Sequence, residues 1–272
     1  MIKSATLCRI LLAVLACSVG DPQGFAQFGR GRGRGNVPRM SLATPGSFDG
    51  SWHLCRLAYD GRGWATDYPD ADYNFSTRLS ELTKTPVSKK HDGEANPLIV
   101  RPSDDALFHC PWVMLWQAES LYFSEQDAAR MRQYLLKGGF LWSDDSWGTY
   151  AWENFEAEMS KVLPPSQYRF VDIPPSHGMF RILFEVAKVP QIPGISFWYG
   201  SGGRTSEQGA DSAEVHVRGI FDDRGRLMVL STHNTDIADG WEREGVDPKF
   251  FYLFSVPSYA VGIDFLLYAM TH

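Results

Sequence analysis

The chain has 272 residues, 44% hydrophobic and 14% aromatic, with 26 lysines and arginines against 32 aspartates and glutamates and a net charge of −6. That composition supports one sizeable globular core and excludes bulk disorder. The acidic excess falls after residue 50, because Arg30, Arg32, Arg34 and Arg39 precede it. An acidic domain repels phosphate backbones, which excludes nucleic acid as a partner.

Residues 1–26 read as a signal peptide: Lys3 and Arg9 flank an apolar run from Ile10 to Ala16, and small residues follow. The protein is therefore expected to be exported, to the periplasm or beyond. Two processing routes fit. Gly24-Phe25-Ala26 offers a cleavage site before Gln27, whereas Val14-Leu15-Ala16-Cys17 resembles a lipobox that would leave Cys17 as a lipid anchor. Residues 27–50, rich in glycine, arginine and proline, read as a solvated linker. Residues 51–272 form the domain. No apolar run after residue 26 reaches the ~20 residues of a membrane span, so no transmembrane helix is expected beyond the signal.

Within the domain, Trp52–Tyr59 reads as a buried strand running into the Asp60-Gly61-Arg62-Gly63 turn. Asp70 or Asp72 then caps a helix with Phe75, Leu79 and Leu82 on its inner face. Leu98–Val100 is a short strand. Pro111–Trp116 is another, with Gln117-Ala118-Glu119-Ser120 at its carboxyl end. Ser124 and Asp127 open a helix that buries Ala128, Met131 and Leu135 and stops at Gly138 or Gly139. Phe140–Trp142 is a core strand, and Trp152, Phe155 and Met159 mark the next helix. This alternation predicts an α/β fold with a mainly parallel sheet flanked by helices. In the last third, Phe170–Ile173 is a short strand. Glu214–Phe221 and Leu227–Thr232 form a β-hairpin across Asp223-Arg224-Gly225-Arg226. A helix from about Ser258 to Thr271 buries Val261, Phe265 and Tyr268 or Ala269. Cys55 and Cys110 lie beside buried strands and read as reduced, buried thiols.

Ligands of open α/β sheets bind beyond the carboxyl ends of the strands, where Asp144 and Asp145 fall in Tyr134–Gly148. Side chains alternate along a strand, so one acid is expected to be structural and the other to face a cleft. Trp147 offers a stacking surface. If the strand ends converge, His177, Asn234 and Asp236 join the acids as ligand-binding residues, with His233 and Asp239 nearby. No recognised metal-ligand spacing is present, so neither metal nor cofactor is expected. Trp64, Trp147, Trp152, Trp198 and Trp241 fall near loops, an arrangement compatible with sugar binding.

The segments CRLAYDGRGWATDYPDADYN, FSEQDAARMRQYLLKGGFLWSDDSWG, FEAEMSKVLP, HNTDIADGWE and SYAVGIDFLLYAMTH together resemble the bacterial family known as domain of unknown function 4159. The resemblance implies a class I glutamine-amidotransferase-like, flavodoxin-related fold, and no activity. The chain departs from the family pattern at Gln117-Ala118-Glu119 and at Ser176-His177-Gly178. Catalytic amidotransferases carry a cysteine on a strand-to-helix elbow, and here no cysteine or serine has the flanking glycines of such an elbow. The reading that follows is non-catalytic binding of a small molecule, glycan or envelope protein at the cell envelope. The alternatives are a hydrolase of glycan or cell-wall material acting through Asp144 or Asp145, and a structural interaction domain.

Overall fold

The computed structural model describes residues 42–272; the signal segment with Cys17, and the first part of the linker, lie outside the described residues. A seven-stranded mixed sheet has the order β2-β1-β3-β4-β7-β6-β5. The strands are β1 (Cys55–Leu57), β2 (Leu98–Val100), β3 (Trp112–Trp116), β4 (Phe140–Asp144), β5 (Val171–Asp172), β6 (His216–Phe221) and β7 (Leu227–His233). The first four and β7 are parallel, whereas β6 pairs antiparallel with β7, and β5 with β6. The fold is α/β, as the strand and helix alternation predicts. The hairpin is present, and its second strand is the one that docks parallel to β4.

Alternation along the strands builds two cores. Trp112, Met114 and Trp116 of β3, Trp142 of β4 and Leu230 of β7 face helices α1 (Asp70–Thr83), α5 (Ile237–Glu242) and α7 (Val256–Thr271). Val113, Leu115, Leu141 and Val229 face α2 (Glu125–Leu136) and α3 (Gly148–Val162) on the other side. Both sheet faces are covered, which is why the central strands read as continuous apolar runs. Two short helices complete the set, α4 (Ile195–Gly200) and α6 (Pro248–Phe250).

Local chemistry sets several element ends. Ser124 Oγ accepts the Asp127 amide (3.1 Å) and donates to its carboxylate (2.7 Å), which caps α2. Gly138, at φ +111°, ends the same helix in a conformation that disfavours other residues. At α1 the sequence reading needs correction. Pro69 stands at the cap, Asp70 is exposed, and Asp72 is buried against Arg56. Leu82 is half-exposed, because the inner face of α1 turns through Asp72, Phe75, Ser76 and Leu79 instead.

Three further features concern the ends and the cysteines. Residues 42–50 are mostly exposed, although Leu42 bridges to Ile99 of β2 and Phe48 stacks on His109. The Pro248–Thr271 segment is long and apolar enough by composition to cross a membrane, but 61% of its apolar window is buried in the fold. Its composition is that of a core helix, with Val261, Ile263 and Phe265 buried. Cys55 and Cys110 form a disulfide rather than two thiols. The sequence places both near strands but does not show that β1 and the approach to β3 bring them together.

The bond ties β1 to the turn preceding β3 across 55 residues of chain. Closing a loop of that length in the unfolded chain is worth about 4 kcal/mol. Paired Cys55→Ala and Cys110→Ala substitutions should therefore lower the denaturant midpoint by a corresponding amount, as measured by chemical unfolding.

Candidate functional site

The carboxyl ends of β1, β3, β4 and β7 open onto one group of acids. Asp67 comes from the loop after β1. Arg56, fully buried in β1, fixes that loop by donating from Nη1 to the carbonyls of Trp64 (2.9 Å) and Thr66 (2.7 Å). Its Nε and Nη2 hold Asp72 at 3.0 and 2.6 Å, and its guanidinium lies 3.5 Å from the Trp116 ring centroid. The loop also passes tightly over the end of β3. The Gly63 amide donates to Ser120 Oγ (3.0 Å), and a Cβ on Gly63 would lie 2.4 Å from that of Gln117. Only glycine allows that approach.

Asp144 and Asp145 follow one another yet differ. Asp144 shares the face of Phe140 and Trp142, so it points beneath α5. One oxygen accepts the Thr232 hydroxyl and the other the Ala238 amide (2.9 Å) at the start of that helix. It is fully buried, and burial pushes its carboxyl up to about 7. Asp145 adopts a left-handed φ of +51°, and its carboxylate lies among the other acids, where Oδ1 accepts Trp147 Nε1 (3.0 Å). Both oxygens of Asp144 are thus engaged within the fold, whereas Asp145 lies beside Asp67 and Asp236.

After β7, Asn234 is also left-handed, at φ +64°. Its Oδ1 accepts the Gly148 amide (2.8 Å) and its Nδ2 donates to the Glu214 carbonyl (2.7 Å), so it braces the loops rather than reaching a ligand. Asp236 caps α5 by accepting the Asp239 amide (2.8 Å), and Asp239 accepts the Ile195 amide (2.9 Å). Single carboxylate oxygens of Asp67, Asp145 and Asp236 lie within 4.8 Å of one another, as do those of Asp67, Asp239 and Glu242.

Positive charge is scarce here. Arg243 Nε stands 2.8 Å from Glu242 and 3.5 Å from Asp239. Asp67, Asp145 and Asp236 make no ion pair with a described basic residue, and Arg56 is committed to Asp72. Burial, then mutual repulsion, pushes the carboxyls of Asp67, Asp236 and Asp239 well above their usual range. Burial likewise raises Asp145, against the Trp147 hydrogen bond. Around the rim, burial lifts Glu119 to about 8 and Glu207 to about 7, with Asp145 adding to both.

Of the residues proposed from sequence, Asp144, Asp145, Trp147, Asn234 and Asp236 converge. His177 does not. It packs against Phe221 and Tyr268, and Phe221 pairs with Leu227 at the opposite end of β7 from His233. His233 is no free ligand either: its Nε2 lies 2.9 Å from the Gly148 carbonyl, and burial lowers it to about 4. Trp147, Trp198 and Trp241 are buried, which removes them as sugar-stacking surfaces, and only Trp64 and Trp152 of that set are partly exposed. Asp67 was legible only from its place in the loop after β1, since its neighbours Asp70 and Asp72 look like cap residues.

Two outcomes follow. Asp144→Asn loses an acceptor for buried donors, at about 1–3 kcal/mol, and should lower the melting temperature by several degrees. Asp145→Asn relieves repulsion and should leave it unchanged or raised; scanning calorimetry compares the two. Glu119 keeps its proton in the folded state up to about pH 8 but loses it near 4.5 when unfolded. Folding is therefore favoured at low pH, and stability should fall as pH rises from about 5 to 8. Glu119→Gln should flatten that profile in thermal melts.

No curated protein matches the chain. The family model described as Domain of unknown function (DUF4159) matches residues 53–270, which hold every strand of the sheet and every acid of the pocket. The chain therefore belongs to the domain of unknown function 4159 family.

Proposed function

We propose that the domain is a non-catalytic binding domain of an exported envelope protein, and that it takes a positively charged ligand in the acid pocket. Asp67 carries this reading. Its Oδ2 is sealed from solvent without a hydrogen-bond partner, and its carboxyl shares a side-chain hydrogen bond with Glu242. It faces two more buried acids without a protein cation. Burial and mutual repulsion hold these carboxyls in their protonated form above the usual range, and positive charge supplied from outside would favour their ionised form. Binding would then stabilise the fold.

Support for binding over amide hydrolysis comes from the elbow after β3. Gln117 occupies it at φ +50°, leading into a 3-10 turn over Ala118–Ser120. An amide is no nucleophile, and the two cysteines of the domain are joined to each other. Support for export comes from the amino-terminal pattern and from that same disulfide, a bond that persists in oxidising compartments.

One observation favours a hydrolase of envelope glycan as the second reading, though not through Asp144, whose oxygens are both engaged. Glu119, raised to about 8 beside Asp145, has the environment of a general acid paired with a second carboxylate.

Calorimetric titration with spermidine tests the first reading. Binding should be seen with the parent chain and weakened about tenfold in Asp145→Asn. Absence of binding, together with release of reducing ends from peptidoglycan that is lost in Glu119→Gln, would replace it with the second.

A further inference from the structure

We infer that the cavity at the carboxyl ends of β1 and β2 is a second binding site, for a neutral pyranose sugar. The order β2-β1-β3 makes β1 a switch point, since the chain goes first to β2 at the sheet edge and then back across β1 to β3. The loops after β1 and β3 lead to helices on opposite faces of the sheet, α1 and α2. Such a switch opens a crevice that ligands of open α/β sheets occupy. A cavity of about 440 Å³ lies on the β2 side of it, within the roughly 300–1,000 Å³ of small-molecule sites. Buried Ile99 and Pro102 give it apolar lining, and Asp60, Trp64, Arg101 and Asp127 bring the chemistry.

Those four side chains match a sugar. Trp64 packs in part against the core, and its remaining surface lines the cavity. The C–H bonds on one face of a pyranose rest favourably on the electron-rich face of an indole. The other half-exposed tryptophan, Trp152, has the Arg218 guanidinium over its ring at 4.1 Å, so stacking falls to Trp64. Asp60 is exposed, and its carboxylate can accept sugar hydroxyls. Asp127 takes the Ser124 hydroxyl on Oδ2 (2.7 Å), which leaves Oδ1 for the same use. Arg101 is held by Asp104, which accepts its Nε (3.1 Å) and Nη2 (2.9 Å), and Nη1 remains to donate. Acceptors with one donor beside them suit hydroxyl groups, which both give and accept. A phosphate or carboxylate would instead face Asp60 and Asp127, with Arg101 already paired, which excludes nucleotides and acidic sugars. The loop is also set in advance. Arg56 Nη1 donates to the Trp64 carbonyl (2.9 Å), and a Cβ on Gly61 would lie 2.2 Å from the Ser120 carbonyl. A loop that needs no ordering keeps more of its contact energy for the ligand.

Calorimetric titration of the full chain with maltotriose, cellotriose and chitotriose tests the site, with trigalacturonate as the acidic counterpart. At least one neutral trisaccharide should bind, and trigalacturonate should not. Asp60→Ala, at an exposed position, should keep the parent melting temperature and weaken binding about tenfold, the worth of one charge-assisted hydrogen bond. Trp64→Ala should abolish binding, and Trp64→Phe, which keeps a ring, should retain part of it. Asp105→Asn, at a side chain 83% exposed and outside the cavity, serves as the control and should change nothing. The site falls if no neutral sugar binds, if trigalacturonate binds better, or if Asp60→Ala and Trp64→Ala bind like the parent. Sugar binding lost in Asp145→Asn but kept in Asp60→Ala would put the sugar in the acid pocket and overturn the site equally. Spermidine reads the acid pocket separately, so failure here is distinguishable from failure there.

Discussion

Arg56 is the constraint on which the rest of the molecule depends. Its guanidinium is wholly enclosed, stacked on Trp116, and bonded both to Asp72 of α1 and to two carbonyls of the loop that ends at Asp67. Taking an ion pair out of water recovers little net energy. What the pair gives is position. A planar group with donors in a fixed fork can hold a helix, a strand and a loop in one arrangement. It also leaves Asp67, Asp145 and Asp236 without a basic partner, since Arg56 already has its counterion and Arg243 lies against Asp239 and Glu242.

The pocket is costly in backbone as well as in charge. Gln117, Asp145 and Asn234 all take left-handed φ values, and each sits just past the carboxyl end of a parallel strand. Such residues cost of order 1–3 kcal/mol each and persist where the surroundings over-determine them. Here hydrogen bonds do so: the Gln117 amide reaches the Asp144 carbonyl, and the Asn234 amide reaches that of Ser146. Three strained turns in a row, each displaying or bracing a polar side chain, mark the place where the fold departs from its own most stable geometry.

Most of the sheet was legible in the sequence, because strands covered on both faces leave apolar runs with glycine stops and capped helices between them. Phe140–Asp144 and the Ser124 cap are examples. The site was legible in part. Asp144, Asp145 and Asp236 follow from the rule that ligands gather at strand carboxyl ends. Asp67 was hidden because Asp145 and Asp236 lie 78 and 169 residues further along the chain, and a single loop acid has no period to betray it. His177 was misplaced for the opposite reason: the sequence shows a histidine in a loop but not at which end of the sheet the loop lies. The antiparallel turn of β6 settles that, and it is a fact of topology. The Cys55–Cys110 bond was missed on similar grounds, since a span of 55 residues carries no local signature.

Helix α5 presents two unlike faces. Asp239 and Glu242 meet the pocket, while Trp241 is buried in the core, 4.3 Å from Phe75 and 5.8 Å from Trp142 between ring centroids. Gly240, between them, leaves no room for a side chain against Ser258. This wall of the pocket cannot be recut without recutting the core. New side chains in the excursion of residues 200–213 would disturb fewer neighbours, whereas the loop of residues 60–67 is pinned by Arg56 and closed to a Cβ at Gly61 and Gly63.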